Sequence, residues 1–545
     1  MYVDDYFFRF YSADVISGVR LAPAPTLDPY LRQGGQILLI SLSYFFPDHE
    51  LPVRLIQLGF HLLVFILFIS LVWRLTEDRL AAALSGLIFG FCAPAYEAWL
   101  WFATIHNVLG CILALGMMHL WLSAIKKPHL LSWQHTGALL LFALLPLFYE
   151  QQMVVLGILP LMLLAKRELL FSSLVRRCLP LIAAGFALAG AFGCFLWRHS
   201  WMLQKRLPSD GQTLTLLDRL EKVGTAVRSA LFGGELVAYR EAFLYGLHQV
   251  LSQSFALWLL LELLLLALVL LFVTLFRPHE SVSIETERRI FPMFAAGIAW
   301  ALLALIPSLA SATTESLPSR VLYLPLMGLS LSGGLLFAYG VRKLRFSSLR
   351  MACVLIPILL LLFSSIAMTG YARLYATRAE RDHAMLNKVK TAFPSPPENA
   401  VFLPMALPYA SHSAQTAFAP MLERRFTSAL SVNWLSRELM QMSYHRTDLN
   451  ALTENPWDKY RFGAIDPGTS ERSPTVTVND LSIPIDRVIP YTIQDEKVIG
   501  VLPLILVDES DHSAISIPAP FIAEYAQRGL PTLEIRRWMN APAKH

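Results

Sequence analysis

The sequence predicts a polytopic α-helical membrane protein of about ten transmembrane helices, followed by a C-terminal α/β domain. Three observations carry that expectation. Apolar residues make up 55% of the chain and charged residues only 16%, with a mean hydropathy of +0.50, whereas soluble domains run near 45–50% apolar and about 25% charged. Apolar runs of membrane-crossing length recur through residues 1–370 and stop there. Lys and Arg collect in alternate loops between those runs, as they do when a bilayer orients a chain. With 545 residues there is room for a membrane domain, 1–370, and a soluble domain of ordinary size, 371–545.

A span takes about 20 apolar residues, fewer where the helix packs inside a bundle. The runs fall at 55–73, 80–95, 103–124, 136–148, 151–165, 178–197, 254–276, 291–312, 320–341 and 349–370. Residues 136–165 could form one long helix, but Glu150, Gln151 and Gln152 would then sit at mid-bilayer. Lys126 and Lys127 precede the segment and Lys166 and Arg167 follow it. Two short spans keep both basic clusters on one side and the polar triplet at a turn, which the cost of burying such groups in hydrocarbon favours.

One set of loops holds Arg74 and Arg79; Lys126 and Lys127; Lys166, Arg167, Arg176 and Arg177; Arg277, Arg288 and Arg289; and Arg342, Lys343, Arg345 and Arg350. The alternate short loops 96–102, 149–152 and 308–319 hold neither Lys nor Arg. Fifteen against none assigns the first set to the cytoplasm. The outer loops are then 1–50, 96–102, 149–152, 198–253 and 308–319, and both termini are extracytoplasmic. A bacterial periplasm or a lumen satisfies this, and the bacterial inner membrane is the expected location. The net charge of +5 is therefore an orientation signal and gives no reason to expect nucleic acid as a partner.

Within loop 198–253, residues 214–231 space their apolar side chains by three and four, the pattern of an amphipathic surface helix or of a helix on the bundle rim. Past residue 370 the composition turns richer in Pro, Ser, Thr and charge. Strand-like runs at 400–403, 475–478 and 498–507 alternate there with a helical stretch near 428–443. Cys92, Cys111, Cys178, Cys194 and Cys353 all lie in apolar segments without metal-ligand spacing, so they read as small buried hydrophobes. The opening residues show no cleavable signal peptide.

The residues able to carry chemistry gather in the expected outer loops. Asp4-Asp5-Tyr6 could hold a divalent metal, serve as a base toward an acceptor hydroxyl, or be a solvated terminus. Tyr30-Leu-Arg32 follows, then a first full span carrying His61. The next outer loop runs Ala95-Tyr-Glu-Ala-Trp-Leu-Trp101 into Thr104-Ile-His-Asn107; the one after is Phe148-Tyr-Glu-Gln-Gln152. The late loop ends in Thr313-Thr-Glu-Ser-Leu-Pro-Ser-Arg-Val-Leu-Tyr-Leu-Pro325. Each hairpin carries a Glu (Glu97, Glu150, Glu315) beside aromatics or Arg320. Such groups are costly in lipid and should face a cavity. Carboxylates with an Arg and aromatic walls suit a ligand bearing both phosphate and sugar. Trp99 and Trp101 read equally well as interfacial belt residues. His61, His106 and Asn107 read first as hydrogen-bonded residues of a packed bundle.

In order and topology these motifs resemble the GT-C class of membrane glycosyltransferases, and within it the protein O-mannosyltransferase-like branch with its bacterial relatives. The likeness covers about residues 1–370, and its strongest elements are the Asp pair and Arg-Val-Leu-Tyr-Leu-Pro. The resemblance implies a polyprenyl-phosphate-linked sugar donor, transfer on the outer face, and a protein, lipid or growing glycan as acceptor. Carried over, Asp4 or Asp5 would be the general base, Glu150 the acid of the third outer loop, and Arg320 with Tyr323 the donor-phosphate residues. Tyr6, Arg32, Glu97, His106 and Glu315 would line the cavity. No cofactor is assigned beyond a divalent metal at the acidic residues.

The chain departs from that family in two ways. The family carries a transmembrane helix ahead of its acidic pair, and here the sequence opens three residues before it. The expectation is therefore a missing first helix, through truncation or a miscalled start. Tetratricopeptide repeats, present in some members, do not follow the membrane domain. Two other function classes stand beside the enzyme. One is a lipid-linked sugar transporter or flippase, or a polysaccharide polymerase or ligase. A transporter should show matched inverted repeats with Gly/Pro-broken helices, and Pro146, Pro160, Pro292 and Pro307 do not form two corresponding halves. The other is a non-catalytic envelope scaffold with a degenerate membrane domain.

Overall fold

The computed structural model describes residues 33–46, 50–90, 93–100, 104–125, 132–166, 236–253, 284–311, 319–344 and 346–404, parts of 440–451, and the strands between 462 and 539, with a few isolated positions besides. Its helices are α1 (Gln33–Phe45), α2 (Glu50–Thr76), α3 (Arg79–Gly90), α4 (Tyr96–Leu100), α5 (Ile105–Ala124), α6 (Trp133–Phe148), α7 (Val155–Lys166), α8 (Leu236–Gln253), α9 (Ile284–Ser311), α10 (Tyr323–Lys343) and α11 (Ser347–Ala392). Five of them contain stretches long and apolar enough to cross a membrane: Leu51–Thr76, Ile105–Ala124, Arg289–Pro307, Arg320–Lys343 and Ser347–Ala392. The chain is thus helical in the manner of a helical membrane protein. The expected spans 178–197 and 254–276 and the amphipathic segment 214–231 lie outside the described residues.

Residues 136–165 form two helices, as the sequence reading has it: extended Tyr149 and a 3-10 turn, Glu150–Val154, separate α6 from α7. Two boundaries differ from that reading. The expected outer loop 1–50 contains a helix, α1. Its Gly34 and Gly35 lie against Phe148 and His106, where a Cβ would come within 2.8 and 2.5 Å of those side chains. Helix α11 runs 22 residues past the expected end at 370, because the polar stretch that follows is rich in Ala and Arg, with Leu and Lys besides, all good helix formers.

The chain divides into two compact units, Val15–Arg373 and a second made of Met1–Asp14 with Leu374–His545. In the first unit α10 is the central helix, buried along most of its surface from Tyr323 to Leu335. It meets α9 where Gly297 faces Gly328; a Cβ on Gly328 would stand 2.6 Å from the Gly297 carbonyl oxygen and 2.7 Å from the Ala301 nitrogen. On another face a Cβ on Gly334 would reach within 2.5 Å of the Ser85 nitrogen in α3. Close backbone approach through small residues is how helices gain van der Waals contact when lipid offers no hydrophobic drive. The Ser332 hydroxyl adds a bond across the α9–α10 contact, donating to Phe294 O at 2.8 Å. By contrast α2 and α11 expose wide apolar faces, including Leu51, Leu55, Leu58 and Leu62 in one and Leu355, Leu359 and Phe363 in the other.

Two polar ends follow from these directions. At one, Arg342 of α10 grips Asp78 with both nitrogens at 2.5 Å, and Asp78 also accepts the Ala81 N–H at the start of α3. Buried Lys166, at the end of α7, donates to Arg74 O at 2.8 Å and pairs with Glu77 at 3.1 Å, so it caps the carbonyl end of α2. Arg74 itself donates to His119 O and Ser123 Oγ of α5. The opposite end holds Glu97 and Arg320.

In the second unit the strands are β1 (Val401–Pro404), β2 (Asn450–Ala451), β3 (Phe462–Asp466), β4 (Thr475–Val478), β5 (Leu481–Pro484), β6 (Val488–Gln494), β7 (Lys497–Asp508), β8 (Ala514–Ile517) and β9 (Thr532–Met539). β1 lies between β2 and β6 and is parallel to both. The long β7 pairs β6 and then β8 along one edge, antiparallel, and β9 along the other, parallel. β3, β4 and β5 form a separate antiparallel meander. Phe393, Phe402 and Tyr491 pack ring to ring at 6.2–6.3 Å beneath the larger sheet, as expected for a strand with all four residues buried.

Candidate functional site

Glu97 sits in α4, a five-residue helix raised on a 3-10 turn, Ala93–Ala95. Tyr96 anchors this segment by stacking on Tyr371 of α11, with ring centroids 3.9 Å apart. Across the bundle a second 3-10 turn, Ser319–Leu322, leads into α10. The Arg320 side chain donates from Nη1 to Glu97 Oε2 at 3.1 Å, and the Arg320 backbone N–H donates to the same oxygen at 3.2 Å. The carboxylate is 14% exposed and the guanidinium 30%. This ion pair is therefore largely desolvated, with the arginine its more exposed partner. A guanidinium so held is a preorganised donor for a phosphate or carboxylate.

Amide side chains support it from behind. Asn107 Nδ2 donates to Arg320 O, and Gln152 Nε2 donates to Asn107 Oδ1 at 3.0 Å. Asn107 and Gln152 are 1% exposed, so this chain of bonds is buried, where each one resists breakage more than it would in water. His106, next to Asn107, is half-buried with its ring 5.5 Å from Tyr149.

A third group comes from one face of α2. Arg54, Gln57 and His61 follow one another at intervals of three and four residues, which stacks them along a single helix face. Arg54 Nη1 donates to Leu100 O at 2.7 Å, and Gln57 Nε2 to Ala98 O at 3.4 Å. His61 Nε2 lies 3.0 Å from Ala98 O, and its Nδ1 lies 2.8 Å from the Tyr323 hydroxyl. Trp99 stacks on the His61 ring at 4.0 Å, so this tryptophan is a packing residue of the site and not only an interfacial one.

Of the residues expected to act, Glu97, Arg320 and Tyr323 are thus brought to one place, with His106 nearby. Glu150 has its backbone in the 3-10 turn beside Gln152, and its side chain lies outside the described residues, as do Asp4, Asp5, Tyr6, Arg32 and Glu315. The sequence reading did not single out Arg54, Gln57 or Gln152. The same-face spacing of 54, 57 and 61 in an otherwise apolar helix was the signal available for the first two. Among the described residues no three His, Cys, Asp or Glu side chains group as a metal site. Comparison with models of known protein families and with curated proteins gives no match to this chain.

Proposed function

We propose that this chain is a GT-C-like integral membrane glycosyltransferase that moves a sugar from a polyprenyl-phosphate-linked donor to an acceptor on the outer face of the membrane. The observation that carries the reading is the Glu97–Arg320 pair at the end of the bundle opposite Arg74, Lys166 and Arg342. Basic clusters mark the cytoplasmic side, so Arg320 faces out, where the donor headgroup would lie. Ten spans, counting 178–197 and 254–276, and an extracytoplasmic C-terminal α/β domain complete the proposed architecture in the bacterial inner membrane.

In this reading Arg320 holds the donor phosphate. The acceptor hydroxyl oxygen attacks the anomeric carbon, and its proton passes to Asp4 or Asp5. The bond from that carbon to the phosphate oxygen breaks, and its electron pair leaves on the phosphate, whose growing charge Arg320 balances. Glu97 fixes the guanidinium, and Glu150 stands in the same outer set.

The test is release of polyprenyl phosphate from lipid-linked sugars by membranes containing the full chain. Arg320→Ala is expected to lower turnover by about 100-fold, the scale of one lost transition-state donor, and the double change Asp4→Asn/Asp5→Asn to abolish it. Absence of any turnover in the wild type, or full turnover in the double variant, overturns the reading. Movement of intact donor across the bilayer without cleavage would instead establish the transporter.

A further inference from the structure

We infer that His61 is a positioning residue whose imidazole couples the segment carrying Glu97 to the helix start carrying Arg320. The inference rests on the proposed role of that pair. A carbonyl oxygen only accepts, so the Nε2 atom facing Ala98 O carries the ring proton. In the neutral ring Nδ1 is then an acceptor, and the Tyr323 hydroxyl 2.8 Å away donates to it. Ala98 follows Glu97 directly, and Tyr323 stands three residues after Arg320, one 3-10 turn on. One planar ring thereby joins two segments more than 200 residues apart in sequence.

His61 touches no open space that a ligand could use. Its exposure is 1% and that of Tyr323 is 0%, and the indole of Trp99 covers one face of the ring at an interplanar angle of 6°. It can therefore act only through what it holds. The neighbouring bonds have the same direction of effect: Gln57 reaches the same Ala98 oxygen and Arg54 reaches Leu100 O, so one face of α2 grips the α4 segment at two carbonyls. His61 extends that grip to α10 through the Tyr323 hydroxyl. Without it, the Arg320 guanidinium keeps Glu97 as a partner but loses the shared frame that sets where both groups stand. Small displacements of a positioned group are costly to rate.

The experiment uses the full chain in native-like membranes, with Tyr323→Phe and His61→Asn as variants. Tyr323→Phe removes one hydroxyl and leaves the ring packing, so a folded protein is expected. Backbone amide exchange is measured at 97–100 and at 320–323, and donor and acceptor kinetics are measured alongside. In both variants exchange should rise at both segments together, and kcat should fall by about 10- to 100-fold while the acceptor KM stays as in the wild type. The double variant should be no slower than the worse single one, because one shared link is lost only once. Unchanged exchange at both segments overturns the coupling. Raised exchange with kcat and donor KM unchanged overturns the positioning role and leaves a structural strut. If the wild type turns over no lipid-linked sugar, the glycosyltransferase reading fails by itself, and the exchange result still decides whether His61 couples the two segments.

Discussion

Arg446 and Asp448 show how much one side-chain pair can do in the second unit. Arg446 donates to the carboxylate of Asp448 and to the carbonyls of Pro396 and Pro397, while Asp448 accepts the Asn399 backbone N–H at 2.7 Å. Asn399 adopts φ +55°, a left-handed turn that Asn tolerates better than most residues. The pair therefore holds the turn that feeds β1. Its hydrogen bond to Arg446 is the main cause holding the Asp448 carboxyl down, from the ordinary 3.8 to about 2. A depressed folded-state value means the pair stabilises fully above the unfolded value and is lost as pH falls through the folded one. The stability difference between the wild type and Asp448→Asn should thus be constant above pH 4 and shrink between about pH 4 and pH 2. Thermal unfolding at stepped pH measures it; a difference that persists unchanged at pH 2 refutes the assignment.

At the scale of elements, the α9–α10 crossing is sensitive to a single added group. Gly328 has backbone atoms of α9 at 2.6 and 2.7 Å from where its Cβ would be, and backbone cannot swing aside as a side chain can. Gly328→Val should lower stability by about 1–3 kcal/mol or more, the cost of forcing volume into a packed contact. Gly59 in α2 has nothing within 4 Å of its Cβ position. There Gly59→Ala should be neutral or stabilising by about 0.5–1 kcal/mol, since alanine loses less freedom in a helix. Detergent-solubilised thermal unfolding distinguishes the two, and equal effects at both sites would show that α9 and α10 do not cross as described. Helix ends carry the other element-scale lesson. The Arg74 and Arg342 clusters were legible as charge, but Lys166 capping α2 and Asp78 joining α3 to α10 required knowing which helix ends meet.

For the whole molecule, the described helices sort their polar groups to two ends. Membrane-impermeant maleimide tests which end faces out. With all five native cysteines replaced, Tyr44→Cys in α1 (59% exposed) should label from outside intact cells. Phe346→Cys before α11 (70% exposed) should label only after permeabilisation. The reverse pattern would invert the topology and remove Arg320 from the outer face.

The helical membrane character, the described apolar helices other than α1, the separation of basic from acidic loops, and strand-like runs at 400–403, 475–478 and 498–507 were legible in the sequence alone. Each is a local property: hydropathy, period and charge act over ten to twenty residues and need no partner. Helix α1 was hidden in an expected loop because Gly34 and Gly35 weaken its intrinsic propensity, and its packing on His106 and Phe148 overrides that. Only the tertiary structure decided that Glu97 meets Arg320, that His61 meets Tyr323, and that β1 lies between β2 and β6. Those pairings join positions from 49 to 262 residues apart. They depend on how each helix is rotated and how closely it approaches its neighbour, and glycine contacts such as Gly297–Gly328 set that geometry, which no local pattern encodes.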